Sequence, residues 1–380
     1  MASVSDEPDL VIAGAGIAGL ALAAGLSHAG APRRYRLLDE RPVLGSSGGA
    51  ITLWPAALGA LDRIGVGAEV RAAGHPLRPG SIRTRGGRTL RTVDLPLLAV
   101  RRGALVDILH TRIEPGSVAF GCAVSGYRRT ETGVRVLTAA GPIDTAALVG
   151  ADGFRSRVAR ALQPGLRERY AGYPAWRGLS TARGLTPAQW WGRRQEFGVV
   201  PLGDELAYWF ATVPGPAGRE LTDPSAELAA LAVAFGDWPG PVARVLAGTD
   251  PASVSRNDVL DRERLRRWTD GPVVVLGDAA HPMRPNLGQG GGQALVDAAL
   301  LASLLSTAGA PATAFATFED RRRRAAQWVV RASRAAARAV EAPALAHRLS
   351  ALVPDAVVRR ALSSIGDAGS PPAPRDRRGG

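Results

Sequence analysis

The chain has 380 residues, 46% of them apolar, which is enough to bury a large core as one big domain or two intimately joined ones and excludes a disordered protein. Its basic residues are all arginine and give a formal charge of +13, but they are spread along the chain instead of gathered in a patch, which argues against a nucleic-acid partner. The single cysteine, Cys122, rules out a disulfide framework or multi-thiolate metal site and fits a reducing cytoplasm; the five histidines lack ligand spacing, so no metal is expected.

From Leu10 to Pro32 the chain is uncharged and mostly apolar, long enough to suggest a membrane span or a signal peptide. Asp6, Glu7 and Asp9 precede it where a signal peptide carries positive charge, and glycines recur inside it at fixed offsets, so it reads as part of a soluble fold. Residues 9–14 predict a buried strand and Ile17–His28 a helix, with Gly14-Ala15-Gly16-Ile17-Ala18-Gly19 on the turn between them. In that pattern the first glycine permits the turn, the second lets a pyrophosphate approach the backbone, and the third lets helix and strand pack closely. The helix N-terminus then offers free N–H groups to the anion. Tyr35–Asp39 predicts the next parallel strand, and Asp39 at its end can accept hydrogen bonds from an adenosine ribose; the adjacent Glu40 could share or take that role.

Helical spacing follows over Trp54–Ile64, and residues 77–93 read as an excursion into sheet. A helix is then expected over Gly103–Ile113 and strands over Val118–Val124, Val134–Leu137 and Ala147–Val149. Two segments, Gly150-Ala151-Asp152-Gly153-Phe154-Arg155-Ser156-Arg157 and Gly277-Asp278-Ala279-Ala280-His281-Pro282, each put an aspartate just past a short apolar strand, at the sheet edge where open α/β folds bind ligands. Between them, from about Tyr170 to Arg267, tryptophans and alternating segments such as Glu196–Val200 and Leu206–Val213 indicate a β-rich second domain. Val273–Leu276 returns to buried-strand character. Pro285-Asn286-Leu287-Gly288-Gln289-Gly290-Gly291-Gly292, ahead of a helix over Gln293–Leu305, makes a nest of backbone donors for a phosphate or an electron-rich ring oxygen. Thr313–Val340 predicts a long amphipathic helix whose run Arg321–Arg324 reads as a solvated face, and beyond Gly366 the composition is that of a disordered tail.

These three fingerprints, in this order, resemble those of the group A flavoprotein monooxygenases, aromatic hydroxylases with the p-hydroxybenzoate hydroxylase fold, over about residues 10–305. Residues 170–178 and 50–55 are most similar to the branch holding urate hydroxylase, zeaxanthin epoxidase and salicylate-type hydroxylases. The resemblance implies an α/β fold with a discontinuous Rossmann-like FAD-binding domain (1–75, 98–168 and 269–310) and an inserted β-rich substrate domain (76–97 and 169–268). C-terminal helices (311–365) and a disordered tail (366–380) complete it. It implies FAD held by Gly14, Gly16, Ala18, Gly19, Asp39, Glu40, Thr52, Arg102, Val124 and Asp152, with Gly277 and Asp278 at the ribityl chain and Pro285, Gly288, Gln289, Gly290 and Gly291 at the flavin ring. Arg155 and Arg157 match the motif tied to NAD(P)H.

The same resemblance implies NADH or NADPH and O2 as co-substrates, and delivery of one oxygen atom to a small aromatic or electron-rich ring through a flavin C4a-hydroperoxide, by a monomer or homodimer without a membrane span. Trp54, Arg177, Tyr208 and Trp209 belong to segments that face the substrate cavity in the family. Arg177 would bind an anionic or carbonyl group and Tyr208 would hydrogen-bond it or assist proton removal. The alternative is that the tryptophans are core and Arg177 is paired structurally. The family's urate-binding arginine falls about where this chain has Glu196, which argues against urate. Three other readings compete: an oxidase or dehydrogenase without oxygen insertion, a flavin-binding protein without turnover, and a hydrolase built on Gly45-Ser46-Ser47-Gly48-Gly49. The last lacks the strand-to-helix context a nucleophile elbow needs.

Overall fold

The computed structural model describes residues 8–30, 34–45 and 49–342. Five parallel strands form the first sheet, in the order Val273–Val275, Ala147–Gly150, Leu10–Ala13, Tyr35–Leu38, Val118–Ala119. The strands Leu10–Ala13 and Val273–Val275 are buried throughout, as continuous apolar runs must be when helices cover both faces of a parallel sheet. The long apolar run at the start of the chain is therefore a buried strand followed by a buried helix, Ile17–His28. That helix packs against a second, Gly290–Thr307, closely enough that a Cβ on Gly25 would lie 2.9 Å from the Cβ of Ala302.

A seven-stranded sheet stands beside it, ordered Ser255–Arg262, Glu168–Ser180, Ala207–Thr212, Glu196–Pro201, Ala188–Trp191, Gly80–Thr84, Thr89–Val93. Alternation sorts its side chains between two faces. Trp176, Trp190, Phe197, Val199 and Trp209 enter one apolar cluster, which the helices Pro224–Ala234 and Gly240–Ala247 close with Leu231, Val242 and Val245, joined by Phe235 just past the end of the first. Those two helices were not expected in a segment read as β-rich. The signal for the first is local: Pro224 occupies its first turn and Asp223 accepts hydrogen bonds from the amides of Ser225 and Ala226 at 3.0 Å.

Two other expectations need correction. The strand expected over Val118–Val124 is two strands in different sheets: Val118–Ala119 ends the parallel sheet, and Val124–Arg129 begins an antiparallel layer with Val134–Thr138 and Gly141–Thr145. The run Arg321–Arg324 is not a uniformly solvated face. Arg322 is 0% exposed, because the helix Pro311–Glu341 turns it onto Asp297 and Gln293 of the helix Gly290–Thr307, with Nε 2.6 Å from Asp297 Oδ1 and Nη2 donating to Gln293 Oε1 at 2.7 Å. The expectations for 343–365 and for the tail lie outside the described residues.

Candidate functional site

Two cavities open at the carboxyl edge of the parallel sheet, each beside a glycine-dense helix start. In the first, Gly14 has φ +102°, and a Cβ there would lie 2.5 Å from the carbonyl oxygen of Ala151. A Cβ on Gly19 would lie 1.9 Å from the carbonyl oxygen of Gly14, whereas nothing stands within 4 Å of the same position on Gly16. Packing thus demands glycine at the first and third positions, and the second faces open space. The helix Ile17–His28 has no side-chain cap, so its first amides are left for a ligand. Ala18, 8% exposed, packs beside Gly277 and does not line the cavity.

The cavity, about 560 Å³, is also lined by Asp39, Glu40, Arg41, Val124, Asp152, Arg155 and Arg157. Asp39 Oδ2 accepts from the Ala15 amide at 2.7 Å, and Arg41 grips both carboxylate oxygens at 2.8 Å. Burial pushes the Asp39 carboxyl up, but these bonds outweigh it and hold the group below its usual range. Glu40 is exposed at the rim. Asp152 is engaged locally: it accepts from Ser156 Oγ at 2.5 Å and from the Arg157 amide at 2.7 Å, which shapes the turn into the helix Arg157–Leu162 and leaves Arg155 and Arg157 exposed.

The second cavity, about 360 Å³, lies between the start of the helix Gly290–Thr307 and the seven-stranded sheet. Its floor includes Thr52, Trp54, Asp278, Pro285, Gly288, Gly290 and Gly291; its roof includes Arg177, Gln189, Glu196, Tyr208 and Phe210. Again the helix has no side-chain cap. Asp278 opens to the cavity, and burial raises its pKa against the pull of His281, Arg102 and Arg262. The Gln289 side chain turns inward to accept from Gln293 at 3.2 Å and does not line the cavity. Arg102 begins the helix Arg102–His110, and its charged neighbours belong to both cavities, Arg41 to the first and Asp278, Arg177 and Tyr208 to the second.

Arg177 and Tyr208 come together. The guanidinium lies close enough to the phenol to offset partly the rise in the Tyr208 pKa that burial causes, and Arg177 donates to Asn257 at 3.3 Å. Trp54, 6% exposed, contributes a ring edge whose Nε1 has no partner. Trp209 is a correction. It is 0% exposed and stacks on Phe197 at 5.7 Å on the far face of the sheet, because strand alternation that points Tyr208 and Phe210 into the cavity points Trp209 away from it. Sequence reasoning left out Gln189, Asn286 and Phe210, and weighed Glu196 only as an argument against urate; the alternation of their strands was the signal that places Gln189, Glu196 and Phe210 on the cavity face. The hydrolase motif is followed by the strand Ala50–Leu53 instead of a helix, and its residues 46–48 lie outside the described residues.

Residues 7–333 match the sequence family described as an FAD binding domain. The chain is 36% identical over 311 residues to the aurachin C monooxygenase/isomerase of Stigmatella aurantiaca, covering 78% of this chain and 80% of that protein. The chain belongs to the group A FAD-dependent monooxygenases. Its similarity extends to the FAD-dependent urate hydroxylase of Klebsiella pneumoniae, 30% over 335 residues, covering 82% of this chain and 85% of that one. The crystal structure of Klebsiella pneumoniae HpxO complexed with FAD and uric acid superposes with a TM-score of 0.86 at 25% identity over 95% of this chain and 97% of that one. The monooxygenase uses FAD as its cofactor, NAD(P)H as electron donor and O2 as oxygen source, and acts on ring substrates. Among its described residues no helix is long and apolar enough to cross a membrane, and no group of three or more His, Cys, Asp or Glu is placed to hold a metal ion.

Proposed function

We propose that this monooxygenase lays FAD across both cavities and hydroxylates or epoxidises a small ring compound in the second. The observation that carries this reading is the pair of uncapped, glycine-dense helix starts, each opening on a cavity, with Arg102 between them. Gly14, Gly16 and Gly19 fit a pyrophosphate, whose closest approach is at Gly16, where the backbone is bare. Asp39, with Glu40 at the rim and Val124 opposite, suits the adenosine. Asp278 suits the ribityl chain, and Gly288, Gly290 and Gly291 suit the pyrimidine edge of the flavin. When bound, FAD supplies the redox chemistry and the activation of oxygen.

The protein does the rest. The start of the helix Gly290–Thr307 favours negative charge on the ring beside it. Trp54, Val200 and Phe210 give the cavity an apolar wall that keeps water from the reacting atoms. Arg177 binds an oxygen of the substrate, and Tyr208 holds or passes its proton. Arg155 and Arg157, exposed at the first cavity, receive the phosphates of NADH or NADPH. With one cysteine, Cys122, the chain suits a reducing cytoplasm.

The relatives named above are a monooxygenase/isomerase and a urate hydroxylase, which supports oxygen insertion over a simple oxidase. Purified protein should be yellow, and NADH or NADPH should bleach it under anaerobic conditions. With a turned-over ring compound and labelled dioxygen, one labelled atom should enter the product; label appearing only in hydrogen peroxide would defeat the assignment.

A further inference from the structure

Resting on that reading, one more group in the cavity roof has a role to assign. Glu196 stands on the strand Glu196–Pro201, whose alternation sends Phe197 and Val199 into the tryptophan-rich core and Glu196 and Val200 toward the cavity. It is 1% exposed. Its oxygens are met by two neutral amides from different parts of the fold. Gln189, on the adjacent strand, donates to Oε1, and Asn286, in the turn Pro285–Leu287 that leads into the glycine-dense helix, donates to Oε2 at 3.1 Å. Burial pushes the carboxyl up to about 8, against the hydrogen bonds it receives, so at neutral pH it is un-ionised. A carboxyl sealed into an apolar wall without a cation is costly to keep, and packing alone would be better served by leucine.

The register of the sheet sets this group apart from Tyr208 and puts the strand Ala207–Thr212 between it and Arg177. Glu196 pairs with Thr212 and Arg177 with Phe210, while Tyr208 lies four residues from Thr212 on the same strand, about 13 Å away at the usual rise of a strand. The roof therefore has two unlike poles. Arg177 and Tyr208 offer hydrogen-bond donors at one end, and Glu196 offers an uncharged carboxyl at the other.

We propose that Glu196 sets the substrate class: the ring presents a carbonyl or phenolic oxygen to Arg177 and Tyr208 and an N–H or O–H to Glu196. Where such an N–H or O–H is conjugated to a ring carbonyl, its lone pair enriches the carbon next to the carbonyl, which is the property an electrophilic oxygen transfer requires.

The test uses FAD-loaded protein at pH 7 and follows the flavin absorbance during titration with 4-quinolone and N-methyl-4-quinolone, which share a ring system and differ only in the donor. Wild type should bind 4-quinolone at least tenfold more tightly than its N-methyl analogue. Glu196→Leu should shrink that ratio below twofold, and Glu196→Gln, which keeps an acceptor oxygen, should preserve the preference for N–H over N-methyl. Wild type that binds neither compound, or both within twofold, overturns the proposal, as does an undiminished ratio in Glu196→Leu. Should that variant fail to fold, wild type and Glu196→Gln still decide. A protein that retains no FAD, or is not bleached by NAD(P)H, would instead sink the functional reading itself.

Discussion

Arg322 and Asp297 form an ion pair in which both side chains are 0% exposed, joining the long C-terminal helix to the glycine-dense helix at an Nε to Oδ1 distance of 2.6 Å. The same carboxylate accepts from the Gly277 amide at 2.9 Å and from His281 Nε2 at 2.5 Å, so it fixes the start of the Gly277-Asp278 segment as well. Asp297→Asn leaves the guanidinium without its counter-charge and should cost about 3–5 kcal/mol of stability in urea unfolding of the FAD-loaded protein. Burial pushes Asp297 up, yet His281 and Arg322 hold it at about 2. Its folded pKa thus lies below the unfolded one, so its contribution is complete above about pH 4 and is lost as pH falls toward 2. A variant no less stable than wild type at pH 7 would contradict this.

The two sides of one strand predict opposite kinetic phenotypes for neighbours in sequence. Tyr208→Phe removes the hydroxyl beside Arg177 and should lower kcat by about 100-fold, the usual scale for losing a positioned proton donor or acceptor. Trp209→Phe acts on the apolar cluster behind the sheet and should leave KM and kcat within about twofold while lowering stability by about 1–3 kcal/mol. Steady-state kinetics and thermal melts on the pair decide it; a raised KM in Trp209→Phe would return that residue to the cavity.

The glycines of the first turn should also separate. Gly19→Ala drives a methyl group into the backbone of Gly14 and should destabilise the protein by about 1–3 kcal/mol with or without cofactor. Gly16→Ala meets no protein atom within 4 Å, so the apoprotein should melt as wild type does while the ratio of flavin to protein falls. Equal flavin retention in Gly16→Ala and wild type would move the pyrophosphate elsewhere.

Glu196 gives a pH dependence of the other sign. Its folded pKa, about 8, lies above the unfolded value near 4.5, so between those limits the unfolded chain has shed a proton that the folded one keeps. Stability should fall as pH rises from about 4.5 to 8 and level off above. In Glu196→Gln that slope should become shallower than in wild type, which chemical unfolding at a series of pH values would reveal.

Much of this was legible in the residues. The turn Gly14 to Gly19, the strand before it and the helix after it follow from glycine spacing and continuous apolar runs, both local signals. Arg322 was hidden because its partner Asp297 sits 25 residues away, and a run of four arginines on an amphipathic helix looks identical whether one of them turns inward or not. Trp209 was misassigned because its strand was recognised while its phase was not; a shift of one position exchanges the faces. Glu196 has its meaning from Asn286, 90 residues further on, a contact that no spacing rule predicts.

The parallel sheet carries a consequence for how the chain is made. Its central strand, Leu10–Ala13, is flanked by Ala147–Gly150, and the edge strand Val273–Val275 arrives only after the whole seven-stranded sheet has been synthesised. A nascent chain therefore leaves the ribosome with one edge of its nucleotide sheet unpaired until nearly three quarters of it has emerged, so folding should be slow and dominated by long-range pairing. FAD, which needs the late segment around Asp278 as much as the early glycines, would then act as a clamp that closes last.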